Sequence, residues 1–320
     1  MGGDNAPDAI VAGALAVSKR TSLLLVGQEE RVRPLLGGQE IPLLHAPEVV
    51  TMDDPATAPL RSKRASSMRV AMERLAAGEA SAMVTCGHSG AALATAVHVL
   101  GCMPGVDRPA LVTVVPRADG GEAVLLDLGA NVDCKATMIA QFALMGEAYA
   151  RAVLGQEAPR VGLLSNGEER SKGNALVREA LPLVDALPIR FHGPVEPTDA
   201  LRGVVDVLVC DGFVGNVMLK TVEATVDVTL SLLAREIALH PTERLGAWSL
   251  KAPLRRFRGR TSASAYGGAL LLGVNGVVVV GHGRSDASAV ASAIRVARRC
   301  VQGGVVDAVG QAMAALGGTS

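Results

Sequence analysis

Short, uninterrupted runs of Val, Leu and Ala recur along the 320 residues: SLLLVG from Ser22, SAMVTC from Ser81, ALVTVV from Ala110, EAVLLD from Glu122, RVGLLS from Arg160, VDVLVC from Val205 and VVVV from Val277. Such runs, bounded by Gly, Ser or Asp and lacking polar alternation, read as strands buried on both faces, the habit of a parallel sheet. Between them apolar residues return at helical spacing: Met68, Met72 and Leu75; then Val222, Val226, Leu230, Leu233 and Ile237; then Val290, Ile294, Ala297 and Val301. The pattern predicts an α/β chain, and open sheets of this kind place their sites in the loops at the carboxyl ends of strands. One region departs from the alternation. From about Thr221 to Ala263 the pattern is helical with no intervening strand.

Composition narrows the function classes. With 49% apolar and 19% charged residues the chain can bury one or two sizeable cores. Lys plus Arg equals Asp plus Glu at 31 each, so no overall field attracts nucleic acid, and seven aromatics are too few for a base-stacking platform. Charge is instead local. Pro241 to Ser262 carries Arg244, Lys251, Arg255, Arg256, Arg258 and Arg260 against Glu243 alone, a net +5. Five scattered cysteines (Cys86, Cys102, Cys134, Cys210, Cys300), with no C-x-x-C, suit a reducing cytosolic setting. No signal-like segment opens the chain, and the longest uncharged stretch, Ser81 to Val106, is broken by His, Gly and Pro, which suits a strand, turn and helix better than a membrane span.

The common nucleotide signatures are missing: Gly167 to Gly173 lacks the G-K-[ST] order, and no strand leads into G-x-G-x-x-G. Cys86 and His88 are two apart without a second pair nearby, a weak metal pattern. What stands out are loops after strands with several polar residues each. Gly87-His88-Ser89-Gly90 opens a helix, where N–H groups can hold an anion or Ser89 can simply cap. Asp127 to Cys134 and Asp211 to Asn216 follow later runs.

Taken together, DLGANVDC at 127–134, SNGEERSKGN at 165–174, DVLVCDGFVGNVMLKTVE at 206–223 and YGGALLLGVNGVVVVGHG at 266–283 closely resemble the bacterial phosphate acyltransferase family. Met1-Gly-Gly-Asp4 and Arg61-Ser-Lys-Arg-Ala-Ser-Ser-Met-Arg69 fit as well. The resemblance runs in order through nearly the whole chain. It implies a single domain over 1–320 of three-layer α/β/α type, a mostly parallel sheet akin to isopropylmalate dehydrogenases and phosphotransacetylases, with a helical arm at about 225–262. It also implies transfer of an acyl group from acyl carrier protein to inorganic phosphate for phospholipid synthesis, in a cytoplasmic homodimer associated peripherally with the membrane. A membrane glycerol-3-phosphate acyltransferase is among the partners it suggests; nucleic acid is not. Family members usually begin with an apolar strand ending in Asp ahead of the M-G-G-D turn, whereas this sequence opens at the turn. The loop usually written A-G-N-T-G reads Cys86-Gly-His88-Ser89-Gly90 here, and Ala224 stands where the family tends to have Gly.

For that reaction phosphate is the nucleophile and the thioester is already activated, so no cofactor or metal is chemically required; the enzyme positions and stabilises charge. Lys172 and Asn216 match the positions the family uses catalytically: a cation for phosphate and the oxyanion, and an amide donor to the thioester oxygen. The competing readings are a surface lysine paired with Glu168 or Glu169, and a helix N-cap. Gly3, Asp4, His88, Ser89, Gly90, Asn131, Asp133 and His282 are the expected substrate-binding residues, with His282 also a candidate acid for the leaving thiolate. An acyl-cysteine route through Cys134 or Cys210 competes with their being buried structural thiols. Trp248, Leu250, Leu254 and Phe257 among the arm's basic residues have the make-up of an interfacial anchor bent at Pro253, the alternative being a stripe packed in a dimer core. A short-chain phosphotransacetylase acting on acyl-coenzyme A, and a non-catalytic membrane scaffold for the carrier protein, are the rival functions.

Overall fold

A computed structural model describes residues 1–239, 252–254, 257 and 267–317. In chain order the elements that carry the argument are α1 (Asp8–Val17), β1 (Leu25–Gly27), α2 (Glu29–Val32), β2 (Leu43–His45), α3 (Ala58–Arg61), α4 (Ser67–Ala76), β3 (Ala82–Thr85), α5 (Ser89–Val99), β4 (Ala110–Pro116), β5 (Glu122–Leu126), α6 (Ala136–Leu154), β6 (Arg160–Leu164), α7 (Ala175–Asp185), β7 (Arg190–Val195), α8 (Pro197–Arg202), β8 (Val207–Val209), α9 (Gly212–Leu239), β9 (Ala269–Leu272), β10 (Val277–Val280), α10 (Ala287–Gln302) and α11 (Val305–Gly317). Eight strands form one sheet in the order β3-β10-β9-β4-β5-β8-β6-β7, while β1 and β2 pair separately.

The sheet is mixed, with four of its seven strand pairings parallel. β3 with β10, and β5, β8, β6 and β7 among themselves, pair parallel, but β9 and β4 are antiparallel to their neighbours. The runs at 110 and 122, expected as parallel strands, form a hairpin closed by Arg117–Gly121; five residues are too few for a parallel crossover. Alternation along each strand builds three layers. Val124, Leu126, Val207, Val209, Leu270 and Leu272 face α6, α7, α10 and α11. Leu271, Val278 and Val280 face α4 and α5, and Leu125 and Leu208 face α8 and α9. Met68, Met72 and Leu75 are buried as their spacing required, and so are Val290, Ile294 and Ala297. The α9 stripe behaves differently: Val222, Val226 and Leu230 are half-buried and Leu233 is exposed.

The register creates a cleft. Val112 in the long β4 pairs with Leu270 of β9 on one side and Leu126 of β5 on the other. Below that level β4 continues beside β9, above it beside β5. β10 ends next to the start of β9, where Val280 pairs with Ala269, and β5 ends at Leu126. The carboxyl ends of β3 and β10 therefore face those of β5, β8 and β6 across the middle of the sheet. Each half supplies one lip.

Beside the lower half lies a second space, a cavity of about 700 Å³ lined by Leu25, Met68, Val84, Ala14 and Ile294. It separates the unpaired edges of β1 and β3. Among the described residues no helix is long and apolar enough to cross a membrane. Trp248, Leu250 and the arm's basic cluster lie outside the described residues; Leu254 is half-buried and Phe257 half-exposed, both helical.

Candidate active site

The upper lip is built on one buried carboxylate. Asp127, fully buried at the end of β5, accepts from the Leu111 and Ala130 N–H groups through Oδ1 (2.9 and 3.1 Å) and from the Asn131 backbone and side chain through Oδ2 (2.7 and 3.0 Å). Burial raises its pKa despite these four donors. Asn131, expected to bind substrate, spends its amide on this carboxylate and on the Pro109 carbonyl (2.8 Å). Its neighbour Asp133 is exposed.

The fold of this loop makes room for Asn216. Gly129 has φ +119°, a left-handed conformation that glycine tolerates, and its missing Cβ would lie 3.6 Å from the Asn216 amide group. Asn216 is not the cap of α9. That helix starts at Gly212, and Asp211 caps it by accepting the Val214 N–H at 2.9 Å. Half-buried one turn inside the helix, the Asn216 amide has no hydrogen-bond partner among the described residues.

Lys172 comes from the next loop along, after β6, which lies beside β8 in the sheet. Asn166 holds the loop by accepting the Gly173 N–H (2.8 Å), and Asn174 caps α7 by accepting from Val177 (2.9 Å). Arg170 is drawn outward to Asp185 (2.6 Å). Lys172 itself is exposed and pairs with neither Glu168 nor Glu169; among the described residues no carboxylate lies within 4.0 Å of its ammonium. A cation without a counter-ion and an amide without a partner thus stand at adjacent strand ends.

The lower lip gathers three short segments. Gly3 sits where a Cβ would come within 2.5 Å of the Cys86 carbonyl and 3.0 Å of the Gly283 carbonyl, so only glycine fits. The Asp4 N–H donates to the Gly283 carbonyl (2.8 Å), which seats the exposed Asp4 side chain beside the loop after β10. His88, not Ser89, caps α5: its Nδ1 accepts the Ala91 N–H at 3.2 Å. In the neutral ring the proton is then on Nε2, leaving that nitrogen as a donor. Ser89 is exposed as the first helical residue and Gly90 follows it. His282 is exposed, its Nε2 3.9 Å from a Glu223 carboxylate oxygen of α9, so the two lips approach each other there.

The thiols stand apart from this chemistry. Burial pushes Cys134 up to about 11 and Cys210 well above its ordinary value, and a thiol needs its thiolate to attack. Cys86, buried beneath the lower lip, is raised for the same reason.

Sequence and structure comparisons agree with this architecture. The family model described as fatty acid synthesis protein matches residues 1–308. A phosphate acyltransferase of Thermus thermophilus is 47% identical over 99% of this chain and 97% of its own length. One of Acidobacterium capsulatum is 45% identical over 95% of this chain and 92% of its own. Among solved structures, a phosphotransacetylase from Streptococcus pyogenes superposes with a TM-score of 0.60 over 92% of both chains at 19% identity. The EutD phosphotransacetylase from Staphylococcus aureus gives 0.57 over 90% of this chain and 89% of that one, at 17% identity.

Proposed function

This chain belongs to the fatty acid synthesis protein family of phosphate acyltransferases, and from that premise we propose how its cleft moves an acyl group from acyl carrier protein to inorganic phosphate. A phosphate oxygen attacks the thioester carbonyl, the new C–O bond forms as the carbonyl oxygen takes negative charge, and collapse breaks the C–S bond. The thiolate leaves and takes up a proton as free carrier protein. Lys172 meets the phosphate dianion and the developing oxyanion, and Asn216 donates its amide N–H to that oxygen. Donors held in place before the reaction stabilise this charge without reorganisation. The α5 N-terminus, with Ser89, Gly90 and the His88 Nε2–H, and the Gly3–Asp4 turn line the opposite lip for the second substrate group. His282, on the lower lip beside Glu223, is the candidate acid for the leaving sulfur.

The observation that carries this reading is that Lys172 and Asn216, side chains from adjacent strand ends, are both unpartnered among the described residues. The test is direct. Purified protein with long-chain acyl-acyl carrier protein and phosphate is expected to release free carrier protein and a hydroxylamine-sensitive acyl phosphate without added metal. Loss of turnover in EDTA with recovery on zinc would refute the mechanism, and preference for short-chain acyl-coenzyme A would favour the rival short-chain phosphotransacetylase reading.

Assembly and location belong to the same proposal. Val228 and Leu232 of α9 are 57% and 59% exposed, which supports a second copy of the chain covering this helix. The basic segment beyond α9, with Trp248, Leu250, Leu254 and Phe257, is read as the contact with an anionic membrane surface, each basic residue there contributing on the order of 1 kcal/mol. Leu254→Glu with Arg255→Glu is expected to release the protein from anionic vesicles with soluble turnover retained. Wild type that fails to sediment with such vesicles at low salt would remove the membrane role.

A further inference from the structure

The motif from Arg61 to Arg69 has no part in the chemistry above, yet the structure brings one of its residues to the cleft's edge. Lys63, mostly buried, donates to the Val49 carbonyl (2.8 Å) and to Asp54 Oδ2 (2.6 Å). The same carboxylate oxygen accepts the backbone N–H and hydroxyl of Thr51 (2.7 and 2.9 Å). Three hydrogen bonds to Asp54 thereby hold the segment 51–57, which has no helix or strand of its own, and the Val49 bond anchors Lys63. The Lys63 bond, then those from Thr51, hold the Asp54 carboxyl at about 2, so this carboxylate is charged throughout the physiological range.

What this segment touches gives it meaning. The Met52 sulfur lies 3.7 Å from where a Cβ would stand on Gly283, close to Asp4, and the Ala56 methyl lies 3.5 Å from the corresponding position on Gly90 beside His88. One loop therefore spans two of the three pieces of the lower lip. Met52 is 50% exposed although it is apolar, and it stands beside the Gly283 turn of the lower lip. A thioether on a flexible stem suits an apolar ligand of variable shape.

We propose that Met52 contacts the acyl donor, packing on the methylenes next to the thioester, and that Lys63 is a positioning residue whose clamp on Asp54 and Val49 presents Met52 there. The proposal rests on the acyl-transfer reading above. It assigns donor affinity to the 51–57 segment and leaves phosphate and the oxyanion to Lys172 and Asn216 of the opposite lip.

Steady-state kinetics with acyl-acyl carrier protein and phosphate, each varied separately, test it alongside thermal melts. Lys63→Met and Met52→Asp are each expected to raise KM for the acyl donor about tenfold, with KM for phosphate and kcat within about twofold of wild type, as loss of one apolar binding contact requires. Lys63→Arg, which keeps charge and donors, is expected to restore most of the donor affinity. Met52 makes no clamp bond, so its variant reads the contact even if Lys63→Met destabilises the fold. An unchanged donor KM in Met52→Asp overturns the proposal, as does an equal loss in kcat and both KM values in folded Lys63→Met. Wild type inert towards acyl-acyl carrier protein would overturn the acyl-transfer reading itself, an outcome distinct from a functioning enzyme whose variants leave donor KM unmoved.

Discussion

The two lips of the cleft are built by different means. The upper one hangs on Asp127, a carboxylate with no exposure and four N–H donors, fixed to β4 through Leu111 and to the loop through Ala130 and Asn131. The lower one is assembled from glycine-rich turns in close backbone contact and held on its outer side by a part-buried clamp between Lys63 and Asp54. Beneath it the β1 and β3 edges are still apart, across a cavity. A buried network admits one arrangement because any unpaired member is costly. Backbone turns and a rim clamp give more freely. The lip that carries Asn216 is thus tied to a buried carboxylate, and the lip with Met52 to backbone contacts and a part-buried clamp.

The largest effect is expected at Lys172 and Asn216, the pair proposed to stabilise the developing charge. Lys172→Ala is expected to lower kcat about 10²–10³-fold, the scale of one lost preorganised donor, and Asn216→Ala somewhat less. Circular dichroism should show both folded, since neither side chain bonds to another described residue. A Lys172 variant with near wild-type kcat would make that residue an ordinary surface lysine.

Rigidity of the upper lip comes next. Asp127→Asn places an NH₂ group among four N–H donors, and the mismatch is expected to cost about 1–3 kcal/mol of stability. Chemical denaturation measures it; an unchanged midpoint would show that the loop does not depend on the carboxylate.

A smaller effect is expected below. Five apolar residues joined ahead of Met1 can extend between β1 and β3, because Met1 packs against Gly27 at the end of β1 and Gly3 against Cys86 beyond the end of β3. Burial of about three side chains nearly balances the cost of ordering the segment, so a net gain of about 1 kcal/mol is expected. Identical melting temperatures with and without the addition would mean that the cavity does not take a strand.

The smallest expected effect is none. A carboxylate lowered to about 2 adds stability above its unfolded value near 4 and loses that contribution only as pH falls through about 2. Donor KM should therefore be flat from pH 6 to 9 as far as the Lys63–Asp54 clamp is concerned. A step in that range which disappears in Asp54→Asn would contradict the assignment.

The amino-acid sequence alone determined the strands and most helix faces, because burial on both sides leaves nearly pure apolar runs and burial on one side leaves Met68, Met72 and Leu75 a helical turn apart. It also carried a turn signal, Asp119-Gly120-Gly121 between two runs, that marks a hairpin and argues against a parallel crossover. Lys172 and Asn216 were legible through long motifs. Their freedom was not. Local spacing allowed Lys172 to pair with Glu168 or Glu169 and Asn216 to cap a helix, and only the folded chain shows Asp211 doing the capping and Arg170 turned away to Asp185. Tertiary structure likewise chose His88 over Ser89 as cap of α5, turned Asn131 inward to Asp127, and set loop 51–57 across Gly90 and Gly283, residues far apart in the chain. The physical reason is common to all of these. Propensity and periodicity are local and survive in any fold, whereas the partner of a polar group is decided by which distant strand ends the sheet register brings together.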